Sequence, residues 1–577
     1  MKASDAVAGS GGRAGDGLGA VATPLLLLAA AIARWFAFMP PELPIATVAW
    51  LAIFAVAALR ARSASVLLAS AFLVDLLWWL LVQRWVVEVS VVGYPVLCVY
   101  LASWSVALAW LLRRLAHREA TAGVPVWIAL PVVVVALDFL RGEVVLGGYP
   151  WYEAGQGIAG TRGLGNLVAQ SADLLGARGL SILAAVLAGA VATFALPSRP
   201  SRDRRRAAVA AASLALAAGL YGGWRLGRSE AGGTPVGLLA IQTALPIDNK
   251  IGWTAERQLE DVPAFARSTL EAVEAAESPV DLVVWPETML PGFGLEPDTL
   301  RTLERGGFFP GSLFAEIAHE VAVRSGAPLL VGSPSHLGLG VREGRWTWDA
   351  HFNSVYLVPP RPFVADGDAP PRYDKMVLTP FGETMPGISR FEALEQALLD
   401  IGARGMSFDL DAGTVPVRFE VAGSGDAPIR VATPICFEAT VASLCRRLVW
   451  SGGERVADLL VNVSNDGWLG DDLAARAMHL RLAALRAIEN RTPMLRAVNT
   501  GFSAGIDSSG RIVAGLDGSP SRLGTEAGWV RADLSPDPRR PLFAIVGDRW
   551  ALLPVGLVGV GLWLGRRRNA DSIRDRC

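Results

Sequence analysis

Three short stretches of this chain carry residue types that together can do acyl chemistry. Val431-Ala-Thr-Pro-Ile-Cys-Phe-Glu438 reads as a buried strand that ends at Cys436, with a carboxylate two residues on. Asp281-Leu-Val-Val-Trp-Pro-Glu287 is a second apolar run. Pro286 has no amide hydrogen to give a central ladder, so the strand stops there and leaves Glu287 on the loop beyond it. Tyr373-Asp-Lys-Met-Val-Leu-Thr-Pro-Phe-Gly-Glu383 supplies the ammonium of Lys375, which Tyr373, Pro380 and Phe381 should partly enclose. A thiol needs a base for its proton, and the oxyanion formed on attack needs a positive donor, so Cys436, Glu287 and Lys375 are a sufficient set. Taken singly, each has a plainer reading as a core cysteine, a solvated loop acid and a surface lysine.

Positioning them falls to 577 residues, too long for one ordinary domain. The chain is 52% hydrophobic with a mean hydropathy of +0.37, so part of it belongs in lipid. A window of about 19 residues picks out eight spans, near 22–39, 45–59, 64–83, 92–112, 124–140, 179–197, 207–224 and 550–565. Arg34 inside the first, with Pro40 and Pro44 between the first two, makes that pair a tight hairpin of tilted helices. Arginines cluster at Arg60 and Arg62, at Arg113, Arg114 and Arg118, at Arg199, Arg202, Arg204, Arg205 and Arg206, and at Arg566, Arg567 and Arg568. Each cluster falls on an even-numbered connection or on the C-terminus. The positive-inside rule then puts both termini in the cytoplasm and residues 225–549 outside. The net charge of -1 hides this layout and gives no case for nucleic-acid binding.

The expected division is a disordered cytoplasmic tail over 1–21, a seven-span domain over 22–225, an α/β domain over 226–546, a last span over 547–566 and a cytoplasmic tail over 567–577. Asp75 and Asp138 lie in or beside spans, where pairing across the bundle accounts for them. The long connection 141–178 contains Gly147-Gly-Tyr-Pro-Trp-Tyr-Glu-Ala-Gly-Gln156, on the same side as the large domain. Trp151, with Tyr149 and Tyr152, either shapes lipid access or anchors at headgroup level. Of four cysteines, only Cys436 and Cys445 share a domain, and a free thiol is expected because pairing would silence Cys436. From 233 to 545, short apolar runs alternate with helical stretches near 254–276, 311–325 and 472–491, the pattern of an α/β domain with covered sheets.

The order Trp-Pro-Glu287, Tyr-x-Lys375 with Pro-Phe-Gly-Glu383, then Ile-Cys436-Phe-Glu438 resembles the nitrilase superfamily. The likeness extends to Asn462-Val-Ser-Asn-Asp-Gly-Trp468 and Arg496-Ala-Val-Asn-Thr-Gly501. With the membrane spans added, the whole chain is similar to the membrane-embedded branch that N-acylates apolipoproteins. The resemblance implies an αββα sandwich attached to a helical membrane bundle, with Glu287 as base, Lys375 as oxyanion partner and Cys436 as nucleophile. It implies support from Glu383 and Glu438 and an oxyanion contact from the backbone N–H of Phe437, where family members often have Tyr. Trp253 and Trp468 match positions that the family uses near acyl chains or in mobile loops, with plain core or interface packing as the other reading. The implied reaction is ping-pong: a phospholipid acylates the thiol, and the α-amino group of an S-diacylglyceryl cysteine on an apolipoprotein takes the acyl chain. It needs no metal or redox cofactor. The implied setting is the bacterial inner membrane, with membrane lipid around a monomer. A membrane-tethered amidase acting on a soluble substrate would use the same residues without needing eight spans, and a non-enzymatic lipid-binding scaffold would not need the three intact.

Overall fold

The computed structural model describes residues 18–116, 124–196, 199–228, 232–245, 252–365, 367–380, 382–384, 410–423, 427–516 and 523–574. The tail before residue 18 and Arg118, Phe381 and Cys577 lie outside them.

Apolar helices at Ala22–Phe38, Pro44–Arg60, Ala64–Val82, Gly93–Ala116, Val126–Phe139, Ala172–Ala195 and Ser201–Gly227 pack into a bundle that the C-terminal helix Leu552–Arg574 joins. Such helices are apolar round most of their circumference, which suits lipid on one side and neighbours on the other. Four of them, Ala64–Val82, Gly93–Ala116, Ala172–Ala195 and Ser201–Gly227, are long and apolar enough to cross a membrane. Among the described residues the expected count of eight is therefore supported at four. Ala22–Phe38 and Pro44–Arg60 have 17 residues each, and Val126–Phe139 has 14 before it turns into a π-helical stretch at Leu140. A hydropathy window scores composition and not helix length, so it also picks up these shorter apolar helices. The last helix runs on to Arg574, past the expected end at 566, because charged residues end a span without ending a helix.

Buried charge in the bundle is paired. Arg34 meets Asp75 at 2.8 Å and lies over the Trp78 ring at 3.8 Å, while Trp79 Nε1 donates to the other Asp75 oxygen. Asp138 accepts from Ser181 Oγ and from the Ala154 amide. Asp75→Ala should cost about 3 kcal/mol of stability, since it strands a buried guanidinium. Thermal unfolding in detergent would read this, and an unchanged midpoint would contradict it. The arginine-bearing connections meet at one end of the bundle: Arg113 donates to Ala61 O and Arg199 to Ala116 O. The other end carries the second domain, through Arg481 with Glu42 at 2.5 Å and Arg84 with Asp472 at 3.1 Å.

That domain is two six-stranded sheets face to face. The first runs Gly528–Leu534, Val236–Gln242, Leu282–Trp285, Leu329–Leu337, Ala350–Val358, Arg372–Asp374. The second runs Ile512–Ala514, Ala504–Ile506, Met494–Val498, Leu459–Ser464, Ile429–Ala432, Phe419–Val421. Strand alternation sorts the first sheet's side chains: Leu238, Ala240, Leu282, Val284 and Leu330 face the other sheet, and Leu239, Ile241, Val283, Trp285 and Val331 face helices Ala255–Glu274 and Leu313–Ser325. Helices Ala442–Val449 and Leu473–Asn490 cover the second sheet. Leu473–Asn490 is buried round nearly its whole circumference, because its far side lies on the bundle. There Glu489 accepts from the Ala177 amide and Arg491 pairs with Asp173 at 2.7 Å. Tyr373 to Asp374 and the strands before Glu287 and Cys436 all finish at one edge of this sandwich, so their loops converge.

Candidate active site

Glu287 sits just past the Leu282–Trp285 strand, 4% exposed. Its two oxygens accept from Asn353 Nδ2 and from the Asn465 amide, each at 2.8 Å, and Lys375 Nζ stands 3.5 Å from Oε1. The loop reaches this position over Gly332 on the neighbouring strand. A Cβ there would lie 2.5 Å from the Thr288 nitrogen and 2.7 Å from Glu287 Cα.

Lys375 follows the edge strand Arg372–Asp374 and is 1% exposed, so it is wholly enclosed. Its ammonium lies 2.6 Å from Glu383 Oε2 and 3.3 Å from Thr379 Oγ1. Burial works against the charge, but Glu383, Glu287 and the Cys436 side outweigh it and hold the ammonium above the usual lysine range. Glu383 is likewise disfavoured by burial, yet Lys375 and the Thr379 amide leave it below the usual carboxylate range.

The Cys436 segment differs from the expected strand. The strand ends at Ala432, and beyond Pro434, which has no amide hydrogen, a single parallel bridge from Ile435 to Val463 precedes a 3₁₀ turn over Cys436–Thr440. Cys436 itself has φ +51°, a left-handed conformation that a non-glycine residue holds only when its surroundings impose it. Here they do. Glu438 accepts from the Ile435 amide at 2.7 Å, from Met376 and Val377 at 2.7 and 2.9 Å, and from Tyr373 Oη, tying the turn to the lysine segment. On the other side the Cys436 carbonyl meets His479 Nε2 at 3.3 Å, and Asn462 Nδ2 donates to Pro434 O. His479 is in turn fixed by Asp466 and Arg496. Burial pushes Glu438 up to about 7 against the pull of the three amides.

Burial first and Glu287 second push the Cys436 thiol above its usual range, with Lys375 opposing. The thiol is therefore neutral at rest, and its proton must leave as the new bond forms. Alkylation of Cys436 by iodoacetamide, followed by peptide mass spectrometry, should rise about tenfold per pH unit up to about pH 9. A plateau with its midpoint below about pH 8 would mean a resting thiolate instead. Cys445 is also free, its Sγ 3.4 Å from Glu438 O.

Glu287, Lys375, Glu383, Cys436 and Phe437 share a cavity of about 370 Å³ whose opposite wall is built by the bundle, with Trp85, Val89 and Trp151. The two parts of the chain match separate family descriptions: residues 30–190 the apolipoprotein N-acyltransferase N-terminal domain, and residues 250–525 the carbon-nitrogen hydrolases. An apolipoprotein N-acyltransferase of Bordetella bronchiseptica is 30% identical over 586 residues, covering 93% of this chain and 95% of that one. The chain belongs to the apolipoprotein N-acyltransferase family. Relatives from Geobacter metallireducens and Caulobacter vibrioides carry the same name at 31% identity, covering 74% and 71% of this chain and 72% and 68% of theirs. As in that family, an α/β domain of the nitrilase type is joined to an apolar helical part, and the chain is a membrane protein.

Within this apolipoprotein N-acyltransferase fold the aromatic residues separate. Trp151 is 3% exposed, stacked with Tyr149 and 5.7 Å from the His479 ring, so it forms wall rather than a surface anchor. Trp468 lines the same cavity from the Asp466–Leu469 turn. Trp253 does not: its indole donates to Asp261 in the second turn of helix Ala255–Glu274, and it packs on the outer layer of the first sheet. Asn353, Asn465 and His479 hold the site together without having been singled out from the sequence. Asn465 falls inside the Asn462 to Trp468 string, which was its only available signal.

Proposed function

We propose that this chain transfers an acyl chain from a phospholipid, through a thioester on Cys436, to the α-amino group of the N-terminal S-diacylglyceryl cysteine of apolipoproteins. The observation that carries this reading is the shared cavity, in which a thiol, a carboxylate and an ammonium face the aromatic wall of an apolar bundle. In the first half-reaction Cys436 Sγ attacks the ester carbon as its proton passes to Glu287. The oxyanion is met by the Lys375 ammonium and the Phe437 amide. Its collapse breaks the ester C–O bond, and the departing lysophospholipid oxygen takes the proton back from Glu287. In the second half the amine nitrogen attacks the thioester carbon, Glu287 accepts its proton, and the C–S bond breaks with that proton returned to sulfur. Glu383 keeps Lys375 charged, and Glu438 keeps the cysteine turn and the lysine segment in register. Trp151 and Trp468 give the acyl chain an apolar path that excludes water from the thioester.

In this reading residues 22–225 and 547–566 form eight spans of the bacterial inner membrane, the other four apolar helices completing the bundle. Both termini face the cytoplasm, residues 226–546 stand outside, and the chain works as a monomer. The gathering of Arg60, Arg113 and Arg199 connections at the end away from the α/β domain supports that orientation. Intact-mass spectrometry of the protein after incubation with phosphatidylethanolamine tests the reaction. An acyl adduct at Cys436, absent in Cys436→Ser, with an equal amount of lysophospholipid is the expected result. Lysophospholipid released without any adduct would rule out the thioester.

A further inference from the structure

A second cavity, of about 710 Å³, lies beside the catalytic one and shares Trp85 and Leu469 with it. Arg476 lines it from the first turn of helix Leu473–Asn490, and the residue is only 5% exposed. Among the described residues its buried Nε has no hydrogen-bond partner, and its one ion pair, with the fully solvated Asp471, spans 3.8 Å, beyond hydrogen-bond reach. A buried guanidinium nitrogen without a partner is costly unless something outside the protein completes it. The neighbouring acid cannot: one Asp472 oxygen caps the Ala474 and Ala475 amides and the other takes Arg84. What fits is an oxyanion, since a guanidinium fork matches phosphate geometry and the helix N-terminus beside it also favours negative charge. Glu88 and Asp471 line the same cavity, so it suits a singly charged phosphodiester better than a polyanion.

Resting on the acyl-transfer reading above, we infer that Arg476 binds the phosphodiester of the donor phospholipid while its acyl ester lies at Cys436. Only a glycerol unit separates those two groups in the lipid, as only a shared wall separates the two cavities. Arg476 thereby selects phospholipid esters over other acyl esters without touching the reacting atoms.

The full chain in detergent micelles, acylated at Cys436 by phosphatidylethanolamine or by the phosphate-free ester p-nitrophenyl palmitate, gives a ratio of rates in which loss of folded protein cancels. Arg476→Gln is expected to lower that ratio about tenfold or more, through a raised half-saturating phospholipid concentration, and Arg476→Lys to recover most of it. An unchanged ratio in Arg476→Gln overturns the inference and leaves acyl transfer standing. Wild-type protein that takes acyl groups from neither donor removes the reading on which it rests. Should the glutamine variant fail to fold, the wild type decides. Glycerophosphoethanolamine is expected to inhibit acylation from the phospholipid and not from the phosphate-free ester, and the absence of that difference overturns the assignment. Inorganic phosphate competing as strongly as the diester overturns it too, in favour of a free-phosphate site.

Discussion

Glu287→Gln is expected to slow acylation of Cys436 by phospholipid about 10³-fold, and to slow transfer from the thioester to the amine by a similar factor. The equal loss is the informative part, because the proposed mechanism has one carboxylate take the proton in both halves. The substitution also places an amide NH₂ where only donors now converge: Asn353 Nδ2, the Asn465 amide and Lys375 all point at the two oxygens. Whichever way the glutamine turns, one donor faces another. Single-turnover measurements of each half-reaction, with the acyl-enzyme prepared beforehand for the second, check this. Loss confined to one half would mean that another group serves as base in the other.

Lys375→Met should lower acyl-enzyme formation by about 10² to 10³, the size expected for losing a preorganised oxyanion partner. Its effect on stability carries a distinct sign. In the wild type, Glu383 lies below its usual range, so its contribution is present above the ordinary carboxylate value and is lost as pH falls through the lowered one. The raised Lys375 contribution persists below its usual value and fades only as pH rises through the higher one. Without the ammonium, Glu287 and Glu383 are two buried carboxylates that share Asn353 as donor. At least one must then titrate above the ordinary range, and the variant should gain stability as pH falls from about 8 to about 5. Melting temperatures over that interval, for both proteins, decide it. Parallel pH profiles would show that Lys375 does not hold the two acids apart from protons.

That Glu287, Lys375 and Cys436 would meet was readable because each stands where an apolar run meets a proline or a turn, and strand ends are what such runs mark most clearly. The sandwich was readable for the same reason, its strands and helices having the periods of their kind. The groups that steady the site were not. Asn353 and Asn465 lie 66 and 178 residues from Glu287, and a short polar side chain inside a buried strand or loop leaves no periodic trace. His479 sits on a helix with no exposed polar face to contrast with, so its turn toward Cys436 is invisible without the fold. Trp253 matches a position that the resemblance places near acyl chains or in mobile loops, and its indole donates to Asp261 of the helix that follows it. Four of the eight expected spans fall, among the described residues, on helices long enough to cross a membrane; hydropathy scores composition and does not see that Ala22–Phe38, Pro44–Arg60 and Val126–Phe139 are shorter.

Helix Leu473–Asn490 belongs to two neighbours at once. Near its beginning His479 braces the cysteine turn, and at its end Glu489 and Arg491 are completed by backbone and carboxylate from the bundle. An excised fragment spanning only the sandwich would therefore surface with stranded ions along one flank and a half-open reaction chamber, prone to clump and unable to hold its thiol in place. Chemistry and anchorage in this chain are therefore expected to melt together, as a single cooperative body.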